Sequence, residues 1–162
     1  MIQTIIVILV LIIFGYEIHL LRKQNEVKEK TKISFWETFN LLNVPVITMK
    51  SNGKNINFLV DTGAEKSFID SRILSSINCT EIPNWVGKVS GVNGVTVDTI
   101  FCDVELSFKE KTYNFRFQSF DFSKTTESIG NGVVINGILG SDFFDTYDYV
   151  IDFQEYIAYR KK

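Results

Sequence analysis

Histidine and cysteine are almost missing from this chain of 162 residues, which holds one His and two Cys. A Ser-His-Asp or Cys-His enzyme needs a positioned imidazole, and His19 lies beside an apolar N-terminal run, far along the chain from every other candidate group. Both mechanisms drop out. Cys79 and Cys102 are too far apart for a metal motif and too sparse for a disulfide scaffold, so no metal is expected and the thiols read as free, in a reducing compartment. Charge is also modest: 22% of residues are charged, the net charge is −2, and no Lys/Arg stripe is present. Phosphate binding needs a clustered cationic surface, so no nucleic-acid partner is expected. Proline occurs twice and no repeat or low-complexity tract appears, while 45% of residues are hydrophobic and 14 are Phe. That composition excludes disorder beyond a linker.

What is present begins with a long apolar run. Ile5 to Phe14 is unbroken, and the stretch from Ile2 to Leu21 is interrupted only by Gln3, Thr4, Gly15, Tyr16, Glu17 and His19, a length that suits one membrane crossing. A cleaved signal peptide would carry positive charge before its apolar core and a small-residue site after it, and neither is there. Arg22, Lys23, Lys28, Lys30 and Lys32 all follow the run, so the positive-inside rule predicts a single-pass anchor over 1–21 with the rest of the chain in the cytoplasm. Residues 22–43 read as a juxtamembrane linker. Their last part, Ile33 to Leu42, carries Phe35, Trp36, Phe39, Leu41 and Leu42 and suits either the membrane interface or the domain surface.

From Val44 the pattern changes to short β-prone runs separated by turn residues. Val44 to Met49 and Ile56 to Val60 flank Asn52-Gly53 and predict a tight hairpin. Further strands are predicted at Lys88 to Val92, Val95 to Phe108, Tyr113 to Phe122, Tyr149 to Phe153 and Ile157 to Tyr159. Asp70 and Asp142 are placed to cap short helical turns. The class is mostly β, as one closed, barrel-like domain over 44–162 with one short helix.

The hairpin's second strand delivers the chain to Phe58-Leu59-Val60-Asp61-Thr62-Gly63-Ala64, an acid, a hydroxyl and a glycine after a buried apolar strand. A bare Asp-Thr-Gly is an ordinary turn sequence. Here it is followed much later by Gly137-Ile138-Leu139-Gly140, and between them stands Val89-Ser90-Gly91-Val92-Asn93-Gly94-Val95. In this order the three elements resemble the retropepsin-like aspartic proteases, over roughly Val44 to Tyr159. The resemblance implies that Asp61 is catalytic, with Thr62, Gly63 and Ala64 completing its loop. It implies that Ser90, Gly91, Val92, Asn93 and Gly94 form a flap over substrate, and that Ile138, Leu139 and Gly140 support the loop from behind. Members of retroviral type carry an Arg after the second glycine; here the position is Ser141, so the loop must be supported differently.

The chemistry gives the motif its meaning. Two adjacent carboxyls sharing a proton serve as base toward water and acid toward a carbonyl, without a covalent intermediate or any cofactor. One chain supplies one such motif, so the second carboxyl is expected from a second copy in a two-fold homodimer. The expected function is a membrane-anchored aspartic endopeptidase acting on peptide or protein substrates. The competing reading is a catalytically silent module of the same fold that dimerises or binds peptides.

Overall fold

Apolar residues on every face make the first element. In the computed structural model, which describes residues 2–90, 96–123 and 133–160, helix α1 runs without a break over Ile2–Thr31. Its span Ile5–Thr31 is long and apolar enough to cross a membrane; the apolar window within it has mean hydropathy 2.2 and none of that window is buried against the rest of the chain. A large apolar surface left uncovered in this way needs a non-aqueous neighbour.

After α1 come β1 (Ile33–Ser34), α2 (Trp36–Leu42), β2 (Val46–Ser51), β3 (Lys54–Val60), β4 (Phe68–Asp70), a 3-10 turn (Ser71–Ser76) and β5 (Cys79–Ser90). They are followed by β6 (Thr96–Phe108), β7 (Lys111–Phe120), β8 (Gly137–Leu139), α3 (Ser141–Thr146), β9 (Tyr149–Asp152) and β10 (Ile157–Arg160). The chain is mostly β, as its sequence predicts. Asn52 and Gly53 both take positive φ (50° and 74°), which is the turn that joins β2 to β3 with Ser51 opposite Lys54. Asp70 caps the 3-10 turn, accepting a hydrogen bond from the Arg72 backbone N–H.

The larger sheet has seven strands in the order β2-β3-β8-β4-β7-β6-β5. A single bridge, Lys50 opposite Ser107, joins β2 to β6, so the sheet curls into a barrel that one contact closes, with β5 left outside as an edge. Its interior holds Phe58, Phe117, Ile47, Met49, Val104 and Leu106, all nearly free of solvent contact. Phe58 and Phe117 stack with ring centroids 5.6 Å apart.

Three differences from the sequence reading have clear causes. Strand β5 starts at Cys79, well before Lys88: Pro83 interrupts the run in sequence, but an edge strand tolerates the missing N–H, and the pairing with β6 shifts register between Ile82 and Val86. Strands β4 and β8, at three residues each, are too short to show a period. The third concerns residues 33–42: Ile33 and Phe35 are buried, β1 pairs with β10 in a second, three-stranded sheet β1-β10-β9, and α2 is a short helix in addition to the one expected. The patch therefore packs on the domain through Ile33 and Phe35, while Trp36 stays exposed.

Candidate active site

Strand β8 lies between β3, which it meets in parallel, and β4, which it meets antiparallel. The loop 61–67 has to cross over the end of β8 to get from one neighbour to the other. Alternation along β3 puts Phe58 and Val60 in the core, and the parallel pairing continues one residue further, where the Asp61 N–H donates to the Leu139 carbonyl at 3.0 Å. The chain then turns. The Ala64 N–H donates to the Asp61 carbonyl at 3.1 Å, and the Gly63 N–H donates to Asp61 Oδ1 at 2.9 Å. One carboxylate oxygen is thus aimed by backbone. Asp61 is half-buried, and Thr62 and Gly63 are exposed at the tip of the loop.

The far side of the loop is locked to the segment after β8. The Ser141 N–H donates to the Ala64 carbonyl at 2.9 Å, and the Ser141 hydroxyl reaches the carbonyls of Ala64 and Glu65 at 3.2 and 3.4 Å. Gly140 is packed so closely that a Cβ there would stand 2.6 Å from the Lys66 carbonyl oxygen and 2.7 Å from that of Ala64. Only glycine lets the two backbones approach this far. Gly137 is similarly confined: a Cβ there would stand 2.6 Å from the Phe58 ring and from the Phe68 carbonyl oxygen.

Asp142, expected as a helix cap, has a different place. The N-cap position of α3 is Gly140, which has no capping side chain. The Asp142 carboxylate instead accepts from the Ser67 hydroxyl at 2.6 Å and from the Ser67 backbone N–H at 3.1 Å. The same hydroxyl accepts from the Gly140 N–H at 2.9 Å. Ser67, 1% exposed, therefore ties the end of the loop to the segment after β8. Sequence reasoning missed Ser67 because the partners are 75 residues apart and neither lies in a recognisable pattern.

Of the residues expected to form a flap, Ser90 ends β5 and lies opposite Thr96, their hydroxyls 3.0 Å apart. Gly91, Val92, Asn93 and Gly94 lie outside the described residues. Strands β5 and β6 leave Trp85, Val86, Val97 and Ile100 exposed, with Val86 opposite Ile100. Two grooves elsewhere, one lined by Cys79, Asp103 and Arg116 and the other by Lys28, Trp36 and Phe108, do not include Asp61. Among the described residues no group of three His, Cys, Asp or Glu side chains is gathered to hold a metal ion.

The sequence pattern of the aspartyl proteases matches residues 47–143, from β2 through the loop and into α3. The chain belongs to the aspartyl protease family. The match takes in Asp61, the crossing over β8 and the Ser67–Asp142 tie, so the parts just described all lie within the family's shared region. No curated protein has a matching sequence. Among solved structures the chain is similar to EIAV protease complexed with the inhibitor HBY-793, at 23% identity and a TM-score of 0.48, covering 66% of this chain and 90% of that one.

Proposed function

We propose that this member of the family is a membrane-anchored aspartic endopeptidase whose active centre is a pair of Asp61 residues, one from each chain of a homodimer. The observation that carries the reading is the half-buried Asp61 carboxylate, held by the Gly63 N–H on a loop that is clamped from behind. A buried or half-buried acid costs free energy to desolvate, and a scaffold alone has no use for it. In the reaction one carboxylate takes a proton from water, the oxygen of that water adds to the scissile carbonyl, and the partner carboxyl donates its proton to the carbonyl oxygen. Collapse of the resulting diol breaks the C–N bond, and the nitrogen leaves with a proton returned by the pair.

A second copy is needed because one chain contributes one Asp-Thr-Gly. Thr62 and Gly63 are exposed at the loop tip, where a two-fold axis would bring the copies together. Ser90, Gly91, Val92, Asn93 and Gly94 would serve as the flap over substrate, and the opposed pair Val86 and Ile100 leaves apolar surface uncovered on the β5–β6 ribbon for a peptide. Ile138, Leu139 and Gly140 act as the loop support. Residues 1–21, the first part of α1, would be the anchor, residues 22–43 the connection to the protease domain of 44–162, and the basic residues after Leu21 favour a cytoplasmic domain.

Cleavage of a degenerate peptide library by the full chain, compared with Asp61→Asn, tests the reading. Asn keeps an oxygen for the Gly63 N–H, so the fold and dimer should survive while cleavage is lost. A dimer that is well folded and cleaves nothing, with or without the substitution, would identify a peptide-binding or dimerisation module instead.

A further inference from the structure

We infer that α1 is a rigid spacer that holds the active-site loop at one height above the bilayer, so that the enzyme selects peptide bonds at a set distance from the membrane in membrane-anchored substrates. The inference rests on the anchored-protease reading above and adds the substrate class.

The basis is the joint between helix and domain. No hinge separates them: α1 ends at Thr31 and β1 begins at Ile33, with Lys32 alone between. Thr31 is 6% exposed. Its hydroxyl donates to the Val27 carbonyl at 2.8 Å and accepts from the Arg160 backbone N–H at 2.8 Å, which links the helix's last turn to the C-terminal strand. Tyr149, whose hydroxyl lies 2.7 Å from that of buried Tyr113, donates to the Thr31 carbonyl at 3.4 Å. The Lys28 ammonium sits over the Tyr159 ring at 4.6 Å, and Lys109 Nζ donates to the Lys32 carbonyl at 3.0 Å. Contacts from β9, β10 and the β6–β7 turn thus converge on the end of the helix.

The same chain of bonds leads to the active site. Ile33 pairs with Ala158, and the adjacent Phe35 is buried. Thr38 in α2 both donates to the Val46 carbonyl and accepts from the Val46 N–H, at 2.9 and 3.0 Å. Val46 pairs with Leu59, and the Val60 N–H donates to the Pro45 carbonyl, one residue before Asp61. Every step from the helix end to the catalytic loop is hydrogen-bonded or packed.

Length decides what this does. Ten helical steps from Leu21, where the apolar run stops, to Thr31 rise about 15 Å. The same residues as a flexible tether would average about 17 Å end to end, with a spread comparable to that value. The helix replaces a broad distribution of heights by a narrow one. Arg22 and Lys23, directly after the apolar run, sit at headgroup level and resist vertical sliding. Effective concentration between two tethered groups falls steeply when the linkage does not match the span. Substrate sites too close to the bilayer or too far from it are therefore disfavoured.

The test uses the full chain in lipid vesicles with two readouts. For height, a fluorophore on Asp145→Cys in a Cys79→Ser background transfers energy to acceptor lipids. One narrow distance is expected, and insertion of seven helix-forming residues after Gln24 should raise it by about 10 Å, two helical turns. For selectivity, single-span substrates carry one cleavable peptide at graded spacings from the bilayer. The rate should peak at one spacing and fall about tenfold when the spacing is off by two turns; the helical insertion should move the peak outward, and a Gly/Ser insertion at the same place should flatten it. Cleavage of the free peptide should be equal in all three. Equal cleavage of free peptide with no spacing preference, or a peak and a height that ignore the helical insertion, overturns the inference and leaves the protease reading standing. Failure of every form to cleave free peptide removes the protease reading and the selectivity with it, while the height readout still decides whether the joint is rigid.

Discussion

Substituting Asp142 by Asn changes one atom and leaves the volume of the side chain alone, which makes it a clean probe of how the Asp61 loop is held. The carboxylate now accepts from the Ser67 hydroxyl and the Phe143 N–H through Oδ1 and from the Ser67 N–H through Oδ2. An amide has one oxygen. If that oxygen keeps the backbone N–H, the NH2 faces the Ser67 hydroxyl, which must turn to accept and so loses its own acceptor. If it keeps the hydroxyl, a backbone N–H points at an NH2. Either way at least one hydrogen bond to a charged group is lost in a partly buried place, worth about 1.5–3 kcal/mol. We expect about 2 kcal/mol of destabilisation, read as a fall in the urea midpoint at constant slope from the fluorescence of Trp36 and Trp85. Activity should suffer more than stability explains. A catalytic group displaced by about 1 Å can cost up to about 100-fold, so kcat should fall roughly 10- to 100-fold with KM nearly unchanged. Ser67→Ala should act on the same coupling, because it leaves the buried Gly140 N–H without its acceptor. The double variant should therefore cost less than the sum of the singles. A stability change under about 0.5 kcal/mol with normal kcat would refute the clamp, since no such bond could then be lost.

Gly140→Ala should be destabilising by about 3 kcal/mol or more and should abolish cleavage, because its Cβ would press on two backbone oxygens that have no side-chain freedom to yield; a stable, active variant by calorimetry and peptide assay would contradict the packing. Burial pushes the Cys102 thiol up from 9.0 to about 12, so at pH 8 a disulfide reagent should leave it untouched in the folded protein and react with it only on unfolding, and the stability tied to its neutral form should be complete below about pH 9 and be lost as the pH rises from 9 through 12. Cys79, whose thiol is also raised, first by burial and then by Glu81, should react slowly rather than not at all. A chain shortened to begin at Ile33 should be about 1–2 kcal/mol less stable than one beginning at Arg22, because the Arg160 N–H loses the Thr31 hydroxyl that it donates to; equal urea midpoints would show that the helix end adds nothing to the domain.

Short-range pattern carries a good deal of this protein. The hairpin turn was legible at Asn52-Gly53 because both residues accept positive φ at little cost. The apolar helix was legible from length and composition, and the loop and its support stood out as Asp61 to Ala64 and Ile138 to Gly140 in the right order. Their closeness in space follows from Gly140, where nothing larger fits. Strand β5 was half missed because Pro83 is read locally as a break, while the sheet only asks whether its missing N–H faces a neighbour.

Sequence by itself determined the elements whose cause is local: an apolar run long enough to span a bilayer, alternation that buries Phe58 and Val60, and a motif that points to carboxylate chemistry. Tertiary structure alone decided how the loop is clamped and how the helix is joined, through Ser67 with Asp142 and Thr31 with Arg160. Those pairs are separated by 75 and 129 residues. A hydroxyl such as Ser67 or Thr31 has the same appearance in sequence whether it faces water or a buried partner. Only the fold sets which of the two it meets, and a buried hydroxyl without a partner costs more than one in water.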